Sequence, residues 1–272
     1  MIDLPTSLRS WFSDCPFALV AFSGGVDSSL VAWLAAELLG PDRHLAVISA
    51  SPSLKLSDLD EGKAFAARHG IRLEVVETRE LQNPEYAANP ANRCYFCKHT
   101  LYTELSSLAA RHAPCWILNG TNTDDLVDYR PGLQAASEFE VKSPLAECGF
   151  NKEEVRNLAA KAGLECWNKP AAPCLSSRIP YGQRVTVEKL RRIENGEAFL
   201  REQGFPVCRV RHEGDSERIE VESERVPEAE GLMGRILHAF QELGFQSVEL
   251  YPEGFVSGKL NRPLGVKAAP SP

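Results

Sequence analysis

One stretch, Ala21-Phe22-Ser23-Gly24-Gly25-Val26-Asp27-Ser28, limits what this chain can fold into more than any other. Before it runs Phe17 to Phe22, an apolar run of the kind that forms a strand covered on both faces. After it runs Ser29 to Leu39, a helical stretch stopped by Gly40-Pro41. The glycines therefore sit at a strand-to-helix turn. Small residues there let the backbone approach an anion closely, and the free N–H groups of the helix start point at it. Ser23 and Ser28 add hydroxyl donors, and Asp27 can hold a magnesium ion or order the loop. The Gly-Lys-Ser/Thr ending of a Walker A loop is missing, and so is the GxGxxG spacing of a dinucleotide turn.

The flanking pattern extends this unit. Leu45–Ala50 and Ile71–Val76 read as further strands, with a helix over 58–69 between them. Such βαβαβ alternation predicts an α/β fold with a doubly wound parallel sheet and right-handed crossovers. Ligands in such sheets bind beyond the carboxyl ends of the strands, which is where Ser49 and Ser51 fall. Residues 79–93 are polar and read as a loop, followed by a helix through Ala110. Cys115–Asn119 reads as a strand that delivers Gly120-Thr121-Asn122-Thr123-Asp124-Asp125 to the same edge, with Asp128 close behind. These carboxylates can coordinate magnesium or position an arginine; a solvated acidic turn is the bland alternative. Asn151 and Glu154 form a capping-box signature for a helix over 151–162. We place a first domain at 1–170 and a smaller α+β domain at 171–272. The second carries a helix over 186–203, strands at 207–211 and 218–221, a helix over 228–243, a strand at 247–251 and a frayed tail from Lys267.

The 272-residue chain has 43% hydrophobic residues and a formal net charge of −7, so it can build a core and lacks the basic balance of a broad nucleic-acid surface. No stretch reaches the length of a membrane span, and the N-terminus lacks a signal-peptide pattern. Eight cysteines in such a chain suggest reduced thiols, metal ligands or catalysis rather than disulfides, and with them a cytoplasmic location. Cys94-x-x-Cys97 at a helix start can be a redox pair, half a zinc site or part of an iron–sulfur site. Cys174 sits in a loop bounded by Pro170 and Pro173 on one side and by Pro180 and Gly182 on the other. Cys15, Cys115, Cys148, Cys166 and Cys208 lie in or beside apolar segments and read as structural. Three thiolates from Cys94, Cys97 and Cys174 would leave one iron of a cubane cluster without a protein ligand; an independent Cys174 beside a redox pair is the alternative. Arg209 and Arg211 alternate on one strand face and can reach one anion together, with Ser177 and Arg178 as partners; two surface arginines are the alternative.

Ser23-Gly-Gly-Val-Asp-Ser28 after a strand resembles the PP-loop of ATP pyrophosphatases, which implies cleavage between the α- and β-phosphates of ATP. Arg93-Cys-Tyr-Phe-Cys-Lys98, Gly120-Thr-Asn-Thr-Asp-Asp125, Asp128-Tyr-Arg-Pro131 and Cys174-Leu-Ser-Ser-Arg-Ile-Pro-Tyr-Gly182 extend the likeness. So do Arg209-Val-Arg211 and Gly254–Gly258. Together they resemble the LarE family of ATP-dependent sulfur transferases over nearly the whole chain. That resemblance implies an adenine nucleotide α-hydrolase-like fold. It implies an enzyme that adenylylates a carboxylate of pyridinium-3,5-biscarboxylic acid mononucleotide and converts it to a thiocarboxylate. The product feeds the nickel-pincer cofactor of lactate racemase. ATP would bind at Ser23, Gly24, Gly25, Asp27, Ser28, Ser49 and Gly120, with Mg2+ on Asp27. Lys98 and Asp125 would assist catalysis beside Cys174, and Ser177, Arg178, Arg209 and Arg211 would hold the substrate phosphate. Because Cys94 and Cys97 are present, the resemblance is to the type in which they join Cys174 around a [4Fe-4S] cluster that carries sulfide. In the single-cysteine type the Cys174 position gives up its own sulfur. The implied partners are a small-molecule nucleotide, sulfide or another sulfur donor, and further copies of the chain, with no membrane and no nucleic acid. A tRNA-thiolating PP-loop enzyme, an amide-forming ligase like NAD or GMP synthetase, and a nucleotide-binding or metal-storage protein are the competing readings.

Overall fold

The fold is given by a computed structural model, which describes residues 3–127, 130–170, 173–214 and 216–255. Asp128, Tyr129, the end of the Gly254–Gly258 stretch and the tail from Lys267 lie outside the described residues. The chain divides into two compact units, 1–80 with 92–172, and 81–91 with 173–272.

In chain order the first unit holds α1 (Thr6–Ser13), β1 (Ala18–Phe22), α2 (Val26–Leu39), β2 (His44–Ser49), α3 (Leu56–Arg68) and β3 (Leu73–Val76). A helical turn α4 (Pro84–Ala87) belongs to the second unit. The first unit resumes with α5 (Arg93–Ala109), β4 (Trp116–Leu118), α6 (Gly132–Glu138), α7 (Pro144–Glu147) and α8 (Lys152–Lys161). The strands form one parallel sheet in the order β3-β2-β1-β4. Chain order reverses beside β1, so β1 and β4 flank a switch point.

Alternation divides the sheet residues between two cores. Ala18, Val20, Phe22, Ala46, Ile48 and Leu118 face α1, α2, α3 and α8. Leu19, Ala21, Leu45, Val47 and Ile117 face α5 and α6. Helices on both faces make the sheet doubly wound, as the alternating pattern predicts. No helix among the described residues is long and apolar enough to cross a membrane.

The second unit adds α9 (Val187–Glu202), β5 (Cys208–Glu213), β6 (Ser216–Val221), α10 (Val226–Gly231), α11 (Met233–Glu242) and β7 (Val248–Leu250). Its sheet is mixed, with β5 antiparallel and β7 parallel to β6.

Three expectations are corrected. The helix expected over 228–243 is two helices broken at Leu232, where Gly231 and Gly234 weaken helical propensity on both sides. The loop expected over 79–93 contains a 3-10 turn and α4. Asn83 serves as N-cap and Pro84 as first-turn proline, with the Asn83 side chain accepting from Glu85 N at 2.9 Å. Finally, α2 starts at Val26 rather than Ser29, so Asp27 and Ser28 occupy its first turn.

Candidate active site

Gly24 takes φ +73, a conformation that disfavours any side chain, and Gly25 is the N-cap of α2. Ser28 is buried and ties the loop to itself. Its Oγ donates to Gly25 O at 3.1 Å, accepts from Ser23 N at 3.1 Å and lies 2.9 Å from Ser23 Oγ. The loop is therefore held in shape by its own hydroxyls, at the N-terminus of a 14-residue helix.

The segment after β4 closes on this loop. A Cβ at Gly120 would lie 2.6 Å from Ser28 N and 2.8 Å from the Asp27 carbonyl carbon, so only glycine fits between the two segments. Asn122 Nδ2 donates to Asp27 Oδ1 at 3.0 Å, and Lys152 Nζ donates to Asp27 Oδ2 at 2.5 Å. Both carboxylate oxygens of Asp27 are thus engaged within the protein. Asp125 accepts from Asn122 N and pairs with Arg130 at 2.7 Å. Burial pushes the Asp125 carboxyl up, against the pull of Arg130. Ser49, at the end of β2, follows the residue paired with Phe22 and stands beside the loop. The structure thus brings together Ser23, Gly24, Gly25, Asp27, Ser28, Ser49, Gly120 and Asp125 at one edge of the sheet.

Helix α5 opens with Cys94, exposed, and Cys97, half-buried, on its first turn. Lys98 follows at i+4 from Cys94, on the same helix face. Tyr102, with Cys97 and Cys94 contributing, holds the Lys98 ammonium above its ordinary value against the opposing effect of burial. The Tyr102 hydroxyl is 3.5 Å from Asn119 Nδ2, beside Gly120, which ties this helix face to the β4 edge.

In the second unit, exposed Cys174 caps a 3-10 turn at Leu175–Arg178. Arg178 is 1% exposed and points inward. It donates to Glu197 at 2.7 and 3.2 Å, to Pro173 O at 2.7 Å, to Cys174 O at 3.1 Å and to Ser177 Oγ at 2.9 Å. Arg211 pairs with Glu220 at 2.8 Å and reaches Ser177 O at 3.4 Å. Arg209 lies over the Phe255 ring at 4.9 Å, and burial, with Arg178 nearby, lowers its pKa. Ser177, Arg178 and Arg211 are therefore joined by direct contacts, with Arg209 on the same face of β5. A cavity of about 220 Å³ lined by Lys189, Arg192, His212 and Glu217 takes none of these residues.

Lys152, Glu197 and Glu220 carry no signal of a site role in the sequence, and Asn122 is marked only by its place in the Gly120–Asp125 segment. Lys152 is 125 residues from Asp27, and its local setting signals only the second residue of a capped helix.

The chain matches the NAD synthase family over residues 4–90. It is 46% identical over 260 residues to an uncharacterized protein of Synechocystis sp., covering 95% of this chain and 97% of that one. It is 36% identical over 258 residues to the pyridinium-3,5-bisthiocarboxylic acid mononucleotide synthase of Lactiplantibacillus plantarum, covering 95% and 94%. A glutamine-hydrolyzing GMP synthase component of Thermoplasma acidophilum is 27% identical over 191 residues, covering 64% and 59%.

Proposed function

The chain belongs to the LarE family of pyridinium-3,5-bisthiocarboxylic acid mononucleotide synthases, PP-loop ATP-dependent sulfur transferases, and from that premise we propose how its residues divide the reaction. The substrate is pyridinium-3,5-biscarboxylic acid mononucleotide, and the thiocarboxylate product serves nickel-pincer cofactor assembly for lactate racemase.

A carboxylate is a poor electrophile, because its charge repels nucleophiles and oxide leaves badly. Attack of the substrate carboxylate on the α-phosphorus of ATP gives an acyl-adenylate and releases pyrophosphate. The Ser23–Ser28 amides and hydroxyls receive the phosphates, and Mg2+ enters with them, next to Asp27. Lys152 and Asn122 fix Asp27 in place. A sulfur nucleophile then displaces AMP from the acyl carbon, with Lys98 stabilising developing charge and Asp125 moving the proton. Ser177, Arg209 and Arg211 hold the phosphate of the mononucleotide. Arg178, spent on internal partners, shapes the Cys174 loop beneath them.

Cys94, Cys97 and Cys174 are the proposed ligands of a [4Fe-4S] cluster, which supplies a replaceable sulfide when bound. The observation that carries this reading is that Cys94 and Cys174 are the two exposed thiols of the eight, with Cys97 one turn from Cys94; Cys97 is half-buried, as are Cys115 and Cys148, and Cys15, Cys166 and Cys208 are buried. Two thiols three residues apart on one helical turn fit adjacent ligand positions. A cytoplasmic location and assembly into homo-oligomers belong to the same proposal.

Anaerobically purified protein should be brown and carry about four irons per chain. Cys94→Ala should remove the colour and ATP-dependent thiocarboxylate formation together. A colourless chain whose Cys174 loses sulfur mass on turnover would replace this reading with the self-sacrificing one.

A further inference from the structure

The loop that presents Cys174 is clasped by a segment from the first half of the chain. Residues 174–185 form only the 3-10 turn at Leu175–Arg178, so most of their backbone groups lie outside any helix or sheet ladder and need partners elsewhere. The segment 86–89 supplies several. Ala87 O accepts from Val185 N at 2.9 Å, and Asn89 O accepts from Gly182 N at 2.8 Å. Asn89 Nδ2 donates to Pro180 O at 2.7 Å and to Ile179 O at 3.2 Å, so one amide group serves two successive carbonyls of the loop. The Tyr86 hydroxyl lies 2.8 Å from Ser176 Oγ. Tyr86, Asn89 and Ser176 are buried, Asn89 at 0% exposure.

Asn89 also takes φ +58, in the left-handed region that glycine enters freely and asparagine enters more readily than most side chains. Glycine would meet this backbone demand but has no amide to give the loop. Aspartate would turn acceptor oxygens toward the two carbonyl oxygens. Asparagine answers both demands in one residue, and packing alone asks for neither. Arg178 holds the start of the same loop through Pro173 O and Cys174 O. With its start held by Arg178 and its remainder by 86–89, the loop keeps Cys174 exposed on a fixed backbone.

We propose that Asn89 is a positioning residue for the chemistry at Cys174: its amide and its left-handed backbone fix the loop that sets where the Cys174 sulfur stands. The inference rests on the reading of Cys174 as a sulfur-handling residue. Asn89 acts through the loop and touches neither substrate nor metal. Misplacing a reacting group by about 1 Å can cost about a hundredfold in rate, so the stiffness of this loop bears directly on turnover.

Two variants of the full chain separate this role from packing. Asn89→Gly keeps the backbone conformation and removes the amide, whereas Asn89→Asp keeps the size and removes the donor. In both, hydrogen-exchange mass spectrometry should show lost amide protection at Gly182 and Val185, with β1 protected as in wild type. Thiocarboxylate formation should fall about ten- to a hundredfold. ATP–pyrophosphate exchange driven by the biscarboxylic substrate, a half-reaction that does not use Cys174, should fall far less. If Asn89→Asp unfolds, Asn89→Gly carries the test, since glycine enters the same conformation without strain. Wild-type protection at Gly182 and Val185 in the variants overturns the proposal, and so does lost protection with undiminished thiocarboxylate formation. An equal fall in both half-reactions makes Asn89 a packing residue and overturns it as well. A wild-type chain that exchanges pyrophosphate but makes no thiocarboxylate sinks the sulfur-transfer reading instead, and amide protection alone then decides whether Asn89 fixes the loop.

Discussion

Lys152 Nζ sits 2.5 Å from Asp27 Oδ2, joining the first turn of α8 to the first turn of α2. Their side chains keep 35% and 22% of their exposure, so the pair is partly screened and is a weak source of stability. Its value lies in position, because Asp27 belongs to the phosphate loop. Lys152→Ala should lower ATP-dependent pyrophosphate release about ten- to a hundredfold, the scale of a lost charge-assisted hydrogen bond. The melting temperature should stay within about 4 °C of wild type. A large fall in melting temperature with intact turnover would make the contact structural.

Gly120 is the second fixed point of the loop. The Cβ of Gly120→Ala would meet backbone atoms of Asp27 and Ser28 at 2.6–2.8 Å, and a backbone cannot rotate aside as a side chain can. Nucleotide affinity should fall by at least about tenfold, since one hydrogen bond lost from the phosphate site already approaches that scale. Gly149→Ala is the control. It meets nothing within 4 Å but has φ +82, so it should cost about 1 kcal/mol of stability and leave nucleotide binding intact. Normal ATP binding by Gly120→Ala would mean that the two segments separate easily.

His44 makes the first unit sensitive to acid. Its ring is 1% exposed, with Nδ1 2.8 Å from Gly40 O and Nε2 3.1 Å from Arg72 N. The Arg72 amide donates to Nε2, so the ring is neutral with its proton on Nδ1. Burial lowers the pKa below 6.5, despite the Gly40 carbonyl. The unfolded chain therefore takes up a proton at a higher pH than the folded chain does. Stability is fully present above about pH 6.5 and is lost as pH falls from there toward the folded pKa. Urea midpoints from pH 7.5 to 5 should show this slope, and His44→Gln should flatten it. An equal slope in the variant would assign the acid sensitivity to other groups.

How legible this was in sequence depended on the range of the interaction concerned. Strands β1 and β2 were plain because they are buried on both faces, and α8 was plain because Asn151 and Glu154 cap it reciprocally at 2.9 Å. Those signals lie within a few residues. Cys94, Lys98 and the Ser23–Ser28 loop carry their chemistry in local spacing too. The direction in which Arg178 points is not local: it is set by Glu197, nineteen residues on along a different helix. Alternation placed Arg209 and Arg211 on one face but held no information about Glu220, the partner of Arg211 across the strand pair. The break at Leu232 was hidden because Ile236 and Phe240 continue the helical periodicity beyond it.

The Arg178–Glu197 pair should carry much of the second unit's stability. The side chains are 1% and 0% exposed, and removing one partner strands a buried charge. Glu197→Ala should cost about 3–5 kcal/mol in urea unfolding. Glu197→Gln keeps an acceptor for the Arg178 guanidinium and should cost less. If both variants unfold like wild type, Arg178 has found other partners or solvent.

The thiols should sort by reactivity in the metal-free chain. Alkylation requires the thiolate, and burial pushes Cys15 up to about 12 and Cys115 up to about 11. At pH 8 the ionised fractions are then about one in ten thousand and about one in a thousand. Cys15 and Cys166 are closed to solvent as well, at 1% and 7% exposure. Brief treatment with iodoacetamide, read by peptide mass spectrometry, should therefore modify Cys94, Cys97 and Cys174 well before Cys15, Cys115 and Cys166. Adding iron and sulfide first should protect the fast three as a set, because a shared cluster occupies all of them at once. Protection of Cys94 and Cys97 with Cys174 still labelled would restrict the metal to the α5 pair and leave Cys174 as an independent nucleophile.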